Sequence, residues 1–102
     1  MIDLSNQIIL ITGASRGIGR ATAIMAARAG ATVIVNYRSN LAEAEKVVNQ
    51  IEQGGGKALA IRADVSIQSE VEAMVAKVIS TYGRVDVLVN NAGIWIYGAI
   101  DS

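Results

Sequence analysis

Residues Ile8-Ile9-Leu10-Ile11-Thr12-Gly13-Ala14-Ser15-Arg16-Gly17-Ile18-Gly19 run from an apolar, β-branched segment through a glycine-rich turn into an apolar helix. A strand that ends in glycines and opens a helix is how α/β folds build a phosphate site. The first turn of that helix leaves backbone N–H groups without partners and carries the positive end of the helix dipole, so it suits an anionic diphosphate. Glycine is needed there because a Cβ would obstruct both the turn and the approach of a ligand. The spacing is G-x-x-x-G-x-G. A P-loop requires G-x-x-x-x-G-K followed by Ser or Thr. Here Ile18 stands five residues after Gly13 and no lysine follows Gly19, which disfavours nucleoside-triphosphate hydrolysis. The bland alternative, a turn that is merely rich in glycine, loses ground because the flanking strand and helix are those the phosphate site demands.

Composition narrows the remaining classes. A chain of 102 residues, 52% hydrophobic, is long enough for one small domain with a core of its own. Nine basic and nine acidic residues cancel, so there is no electrostatic footprint for nucleic acid or for an anionic membrane. Cysteine and histidine are both absent, which excludes disulfides, Cys/His metal sites and any Ser-His-Asp or Cys-His relay supplied by these residues alone. No basic stretch precedes the first apolar run, and apolar runs stop well short of spanning length, so the expectation is a protein of the cytoplasm with no membrane segment.

Outward from the glycine turn, the pattern alternates. Gln7 to Thr12 reads as strand one, apolar on both faces as in a strand buried from two sides. Gly17 to Ala29 reads as helix one, with Ile18, Ala21, Thr22, Met25, Ala26 and Ala29 at helical spacing and Gly30 as its left-handed terminator. Thr32 to Asn36 is strand two. Asn40 with Glu43 resembles a capping box for helix two, whose buried stripe is Ala44, Val47, Val48 and Ile51. Gly54-Gly55-Gly56 follows a helix and precedes a strand, the wrong order for a phosphate loop, and reads as a flexible connection. Strand three is Ala58 to Arg62. Ser66 is the expected cap of helix three, with Val71, Met74, Val75, Val78 and Tyr82 on one face and Gly83 at its end; strand four is Val85 to Asn90.

This β-α-β-α-β-α-β order predicts an α/β fold: one Rossmann-type parallel sheet over residues 1–102, strand order 3-2-1-4, with helices one and two on one face and helix three on the other. The gap between the ends of strands one and four is then the topological switch point, where a nucleotide binds in such sheets.

Three segments at the strand ends carry a family resemblance. Thr12-Gly13-Ala14-Ser15-Arg16-Gly17-Ile18-Gly19, Asp64-Val65 after strand three and Asn90-Asn91-Ala92-Gly93 after strand four resemble the N-terminal signatures of short-chain dehydrogenases/reductases, with the nearest likeness to acyl-carrier-protein ketoacyl reductases and sugar dehydrogenases. Each segment alone is a weak signal; the three in order are specific. The resemblance implies a turn of Gly13, Ser15, Arg16, Gly17 and Gly19 under a dinucleotide's diphosphate, with the Ile18 N–H on a phosphate oxygen. It implies that Asp64 accepts from the adenine amino group beside the Val65 backbone, and that Asn90, Asn91, Ala92 and Gly93 close over the ribose. The plainer readings, a carboxylate near the start of helix three and an Asn/Gly turn ending a strand, stand beside these roles.

Cofactor choice follows from the end of strand two. An acid there would hold the ribose hydroxyls of NAD and repel a 2′-phosphate. The region is instead Asn36-Tyr37-Arg38-Ser39, and Tyr37, Arg38 and Ser39 join the cofactor-binding set. Arg38 and Arg16 can flank a phosphate with charge-assisted donors and Ser39 adds a hydroxyl, so NADP is expected over NAD. The alternative is that Arg38 is a solvated loop cation.

The resemblance also sets an expectation about what is missing. In the family the acid for hydride transfer is a tyrosine followed four positions later by a lysine, and no Tyr-x-x-x-Lys occurs here: Leu41, Asp86 and Asp101 stand four after Tyr37, Tyr82 and Tyr97. These residues correspond to less than half of a typical member, so the expectation is a partial sheet truncated after strand four, with no catalytic residue and no metal site. Strand four would then be an exposed edge, predicting a homo-oligomer through strand four, helix three or the apolar tail from Ile94. Trp95 fits either such an interface or the local core. Two functions follow: the NADP-binding half of an oxidoreductase acting on a carbonyl or alcohol, or a stand-alone nucleotide-binding or self-assembling α/β module without enzymatic activity.

Overall fold

A computed structural model describes residues 2–91, and in addition the backbone of residues 95–97 and 100–101. The expected alternation is present as β1 (Ile8–Ile11), α1 (Gly17–Arg28), β2 (Thr32–Tyr37), α2 (Leu41–Gln53), β3 (Lys57–Arg62), α3 (Gln68–Tyr82), β4 (Arg84–Val85), β5 (Val87–Asn90), β6 (Trp95–Tyr97) and β7 (Ile100–Asp101). The main sheet has the order β3-β2-β1-β5-β6. Its first four strands are parallel, with Ile9 opposite both Val33 and Val87, and Val33 opposite Ala58.

The two-sided apolar pattern of β1 divides between two cores. Ile9 and Ile11 pack with Val33 and Val35 beneath α1 and α2, whereas Ile8 and Leu10 pack with Ile34, Met74, Val78 and Leu88 beneath α3. Helices one and two therefore share one face and helix three covers the other, as right-handed crossovers in this strand order require. Gly30 and Gly83, at φ +107° and +88°, end α1 and α3 in the left-handed region where a side chain would be strained.

Four local expectations are corrected. The buried face of α1 is Gly19, Ala23, Ala26 and Ala27, while Ile18 and Met25 are 78% and 69% exposed. The helix lies close enough to the sheet that only its smallest residues fit between them. Ser66 does not cap α3: the cap position is Ile67, and the Ser66 hydroxyl donates instead to Asp64 Oδ1 at 2.6 Å. The expected strand four is interrupted at Asp86, whose carboxylate accepts from the Ile8 amide at 2.7 Å and whose own amide donates to Ile8 O at 2.9 Å. Finally, β5 is not an edge. Residues Trp95–Tyr97 form β6 and pair with it antiparallel, with Leu88 opposite Tyr97 and Asn90 opposite Trp95. Bulky aromatic and β-branched residues favour that pleated pairing, which also occupies the backbone groups β5 would otherwise expose.

Candidate dinucleotide site

The glycine turn, Asp64-Val65 and Asn90-Asn91 all lie at the carboxyl ends of the strands. The turn after β1 is held in shape by two left-handed glycines, Gly13 at φ +60° and Gly17 at φ +62°. Gly19 answers a different demand: a Cβ built on it would lie 2.3 Å from the Gly13 carbonyl oxygen and 2.9 Å from Asn91 Nδ2. Arg16 occupies the N-cap of α1 with extended backbone and no side-chain cap, and no acidic residue lies in the first turn. By contrast α2 and α3 each have a glutamate there, Glu43 and Glu70. The first turn of α1 therefore keeps its N–H groups and its positive dipole end uncompensated by any carboxylate of its own.

The other strand ends are tied to this turn. Thr12 is 6% exposed; its hydroxyl donates toward Asn90 Oδ1 (3.3 Å) and accepts from the Asn91 amide (2.9 Å). Asn91 Nδ2 reaches back to the Gly13 carbonyl at 3.4 Å. Asn90 and Asn91 thus lock β5 to the turn. Ala92 and Gly93, expected to close over the ribose, lie outside the described residues.

Beside the turn is a cavity of about 470 Å³ lined by Gly13, Ser15, Arg16, Tyr37, Arg38, Ser39 and Asn40. Six of these seven are residues singled out from the sequence, and both arginines proposed to flank a phosphate border the same space. Gly17, Ile18 and Gly19 form the adjoining first turn of α1 rather than the cavity wall. Across the site, Arg38 Nε lies 3.5 Å from Asp64 Oδ2, which joins the ends of β2 and β3. Asp64 Oδ1 accepts from the Ser66 hydroxyl and amide, and those bonds hold its carboxyl below the usual value; burial opposes them, and the nearby charges of Arg38 and Arg62 reinforce them. An ionised Asp64 is an acceptor only, the state that suits a group accepting a hydrogen bond from an amino N–H. Val65, 39% exposed, borders a second, mostly apolar cavity of about 380 Å³ with Thr12, Val71, Met74, Leu88 and Asn90.

Two residues that organise this end were not singled out. Asn36 is 2% exposed; its Oδ1 accepts from the Gly13 amide at 3.1 Å, and its Nδ2 donates to the carbonyls of Ala63 and Ile61 at 3.2 and 3.4 Å. The legible signal was an amide side chain at the end of the otherwise apolar run Val33-Ile34-Val35. Glu70 Oε1 accepts from the Asp64 amide at 2.8 Å and pairs with Arg62, so it fixes the backbone that carries Asp64. Among the described residues no group of acidic side chains is arranged to hold a metal ion.

The fold and the site together define a Rossmann-type α/β unit with a glycine turn at the switch point of its parallel sheet, the position at which such folds bind nucleotides. The pattern of short chain dehydrogenases matches residues 7–101, and the chain belongs to that family. It is 46% identical over 93 residues to the short-chain dehydrogenase/reductase homolog YusS of Bacillus subtilis, covering 91% of this chain and 85% of that protein. It is 49% identical over 89 residues to a 3-oxoacyl-acyl-carrier-protein reductase of Staphylococcus epidermidis, covering 87% of this chain and 36% of the reductase. Among solved structures, a dehydrogenase/reductase from Sinorhizobium meliloti superposes with a TM-score of 0.86 at 42% identity, over 91% of this chain and 37% of the other. Of three further curated relatives, the chain spans 36–41% of their length.

Proposed function

We propose that these 102 residues are the NADP(H)-binding part of a short-chain dehydrogenase/reductase whose full activity transfers hydride between NADPH and a carbonyl or alcohol. The observation that carries the reading is the juxtaposition at the glycine turn. One cavity is bordered by the turn (Gly13, Ser15, Arg16) and by the end of β2 and the loop after it (Tyr37, Arg38, Ser39), next to a helix start with no acidic residue.

The residues fit the group. Gly13, Gly17 and Gly19 leave the space that side chains would fill, and the amides of the first helical turn face an anion. Arg38 and Arg16, with the Ser39 hydroxyl, suit a 2′-phosphate, and no carboxylate of this loop opposes it. Asp64 and Val65 receive the adenine edge, and Asn90 and Asn91 support the ribose side with Ala92 and Gly93. When bound, the cofactor supplies or accepts the hydride. This chain binds and orients it; no Tyr-x-x-x-Lys lies within the 102 residues, so the proton that accompanies hydride is handled by groups outside them. The likeness to a 3-oxoacyl-acyl-carrier-protein reductase supports a carbonyl substrate.

The test is calorimetric titration of the folded chain. NADP+ binding more tightly than NAD+ supports the reading, NAD+ binding more tightly overturns the cofactor preference, and no heat with either overturns the role. A second reading, a nucleotide-binding module that self-associates and has no turnover of its own, is favoured by the match over 85% of YusS and by the exposed Ile18 and Met25 on one face of α1. NADP+ binding by a dimer in light scattering, with no reduction of any ketone, would favour it.

A further inference from the structure

The two amides that follow Thr12 do not face the cavity alone. The Gly13 N–H donates to Asn36 Oδ1 at 3.1 Å and the Ala14 N–H donates to the Asn36 backbone carbonyl at 3.0 Å. One buried residue at the end of β2 therefore takes both of the first amides of the turn, leaving the later ones, from Ser15 into the first turn of α1, for an anion. The same side chain faces the other way with Nδ2, which donates to the carbonyls of Ala63 (3.2 Å), Ile61 (3.4 Å) and Tyr37 (3.4 Å). Ala63 immediately precedes Asp64. Only one orientation of the amide satisfies this arrangement, because an N–H must be met by oxygen on one side and three carbonyls by NH₂ on the other.

We propose that Asn36 is the positioning residue of the dinucleotide site: its side chain sets the glycine turn at a fixed offset from the end of β3, so that the diphosphate and adenine ends of one ligand are met together. This rests on the reading given under Proposed function. Asn36 touches no ligand. It acts through Gly13 on one side and through the Ala63–Asp64 backbone on the other, bridging two strand ends that are not neighbours, since β1 and β3 lie on opposite sides of β2. An aliphatic residue of like size would leave the Gly13 amide without this acceptor and take the side-chain donor away from the buried Ile61 and Ala63.

The test compares three variants of the full chain with the wild type by NADP+ titration, each checked for folded far-ultraviolet circular dichroism. Asn36→Ala is expected to bind NADP+ at least about tenfold more weakly. Val78→Ala, a core truncation beneath the opposite face, is expected to bind as the wild type despite its own loss of stability. Asn36→Asp supplies a readout that general destabilisation does not. A carboxyl here can donate to the strand-three carbonyls only while protonated, and burial among those carbonyls raises its pKa. Relative to wild type, this variant should therefore bind within about threefold at pH 6 and about tenfold more weakly at pH 8.5. The neighbouring charged groups, Arg16, Arg38, Arg62 and Asp64, are common to both proteins, so the ratio removes their contribution. If Asn36→Ala fails to fold, the pH profile of Asn36→Asp decides alone. Affinity unchanged in Asn36→Ala, an equal loss in Val78→Ala, or a flat Asn36→Asp ratio would each overturn the positioning role while leaving the cofactor site standing. Absence of binding by the wild type would instead overturn the site on which the proposal rests.

Discussion

Arg38 Nε lies 3.5 Å from the Asp64 carboxylate, a pairing that links the loop after β2 to the end of β3. It engages the inner nitrogen of the guanidinium, and Arg38 is otherwise 77% exposed at the side chain, bordering the cavity beside the glycine turn. An arginine held at its base and open at its fork is preset for a second anion. The pair itself is too exposed to contribute much to folding, so its consequence lies in orientation.

Removing the guanidinium separates the two cofactors. Arg38→Ala should weaken NADP+ binding by about tenfold or more, the loss expected when hydrogen bonds to a charged group disappear. NAD+ affinity should change by less than about threefold, because the 2′-phosphate is absent. Parallel calorimetric titrations check this, and equal losses for both nucleotides would show that Arg38 does not read the phosphate.

The glycines of the turn act by different physics, and their alanine variants should separate. At Gly19 a new Cβ meets the Gly13 carbonyl at 2.3 Å, so Gly19→Ala forces the helix away from the turn and should cost about 1–3 kcal/mol of stability. Gly17 has nothing within 4 Å of a built Cβ and only its positive φ opposes substitution, so Gly17→Ala should cost about 1 kcal/mol. Urea denaturation midpoints measure both, and a Gly17 variant less stable than the Gly19 variant would contradict the packing.

Asp86 links stability to acid. Burial alone would raise its carboxyl pKa, but hydrogen bonds from the Ile8 amide and from Arg84, with the Arg84 charge, more than reverse that and leave it below the usual carboxylate value. A carboxyl depressed in the folded state stabilises the fold above its unfolded pKa and loses that contribution as pH falls through its folded one. Asp86→Asn should therefore cost about 1–2 kcal/mol at neutral pH, with a smaller difference from wild type below about pH 3.5. Thermal unfolding across pH 2.5–7 measures it; a constant difference would show that the charge does not matter.

Long apolar runs and their glycine stops made most of this architecture legible before any coordinates. Ile8–Ile11 lies inside the expected strand one, the expected Thr32–Asn36 is β2 short of its last residue Tyr37, and of the helix-two stripe Ala44, Val47 and Ile51 are buried with Val48 partly so, because burial from two sides or one leaves a clear pattern. The helix-one stripe was misplaced because alanine carries little directional information. In a helix so rich in alanine, the close approach at Gly19 decides the facing, and that depends on the Gly13 carbonyl six residues away. Ser66 was misassigned for a similar reason: Asp64, two residues earlier, competes for its hydroxyl. The pairing of β6 on β5 and the role of Asn36 were illegible because each depends on partners no local pattern names, Trp95 opposite Asn90 in the sheet and Gly13 meeting Asn36 across a helix.

The central claim is that the turn between β1 and α1 presents main-chain N–H groups to a diphosphate. Amide ¹H–¹⁵N NMR of the labelled chain during NADP+ titration tests it most directly. The account predicts saturable shifts at Gly17, Ile18 and Gly19, accompanied by Arg38 and Asp64. Shifts confined to the opposite end of the sheet, around Arg28 and Lys57, or none at any of these amides, would contradict it.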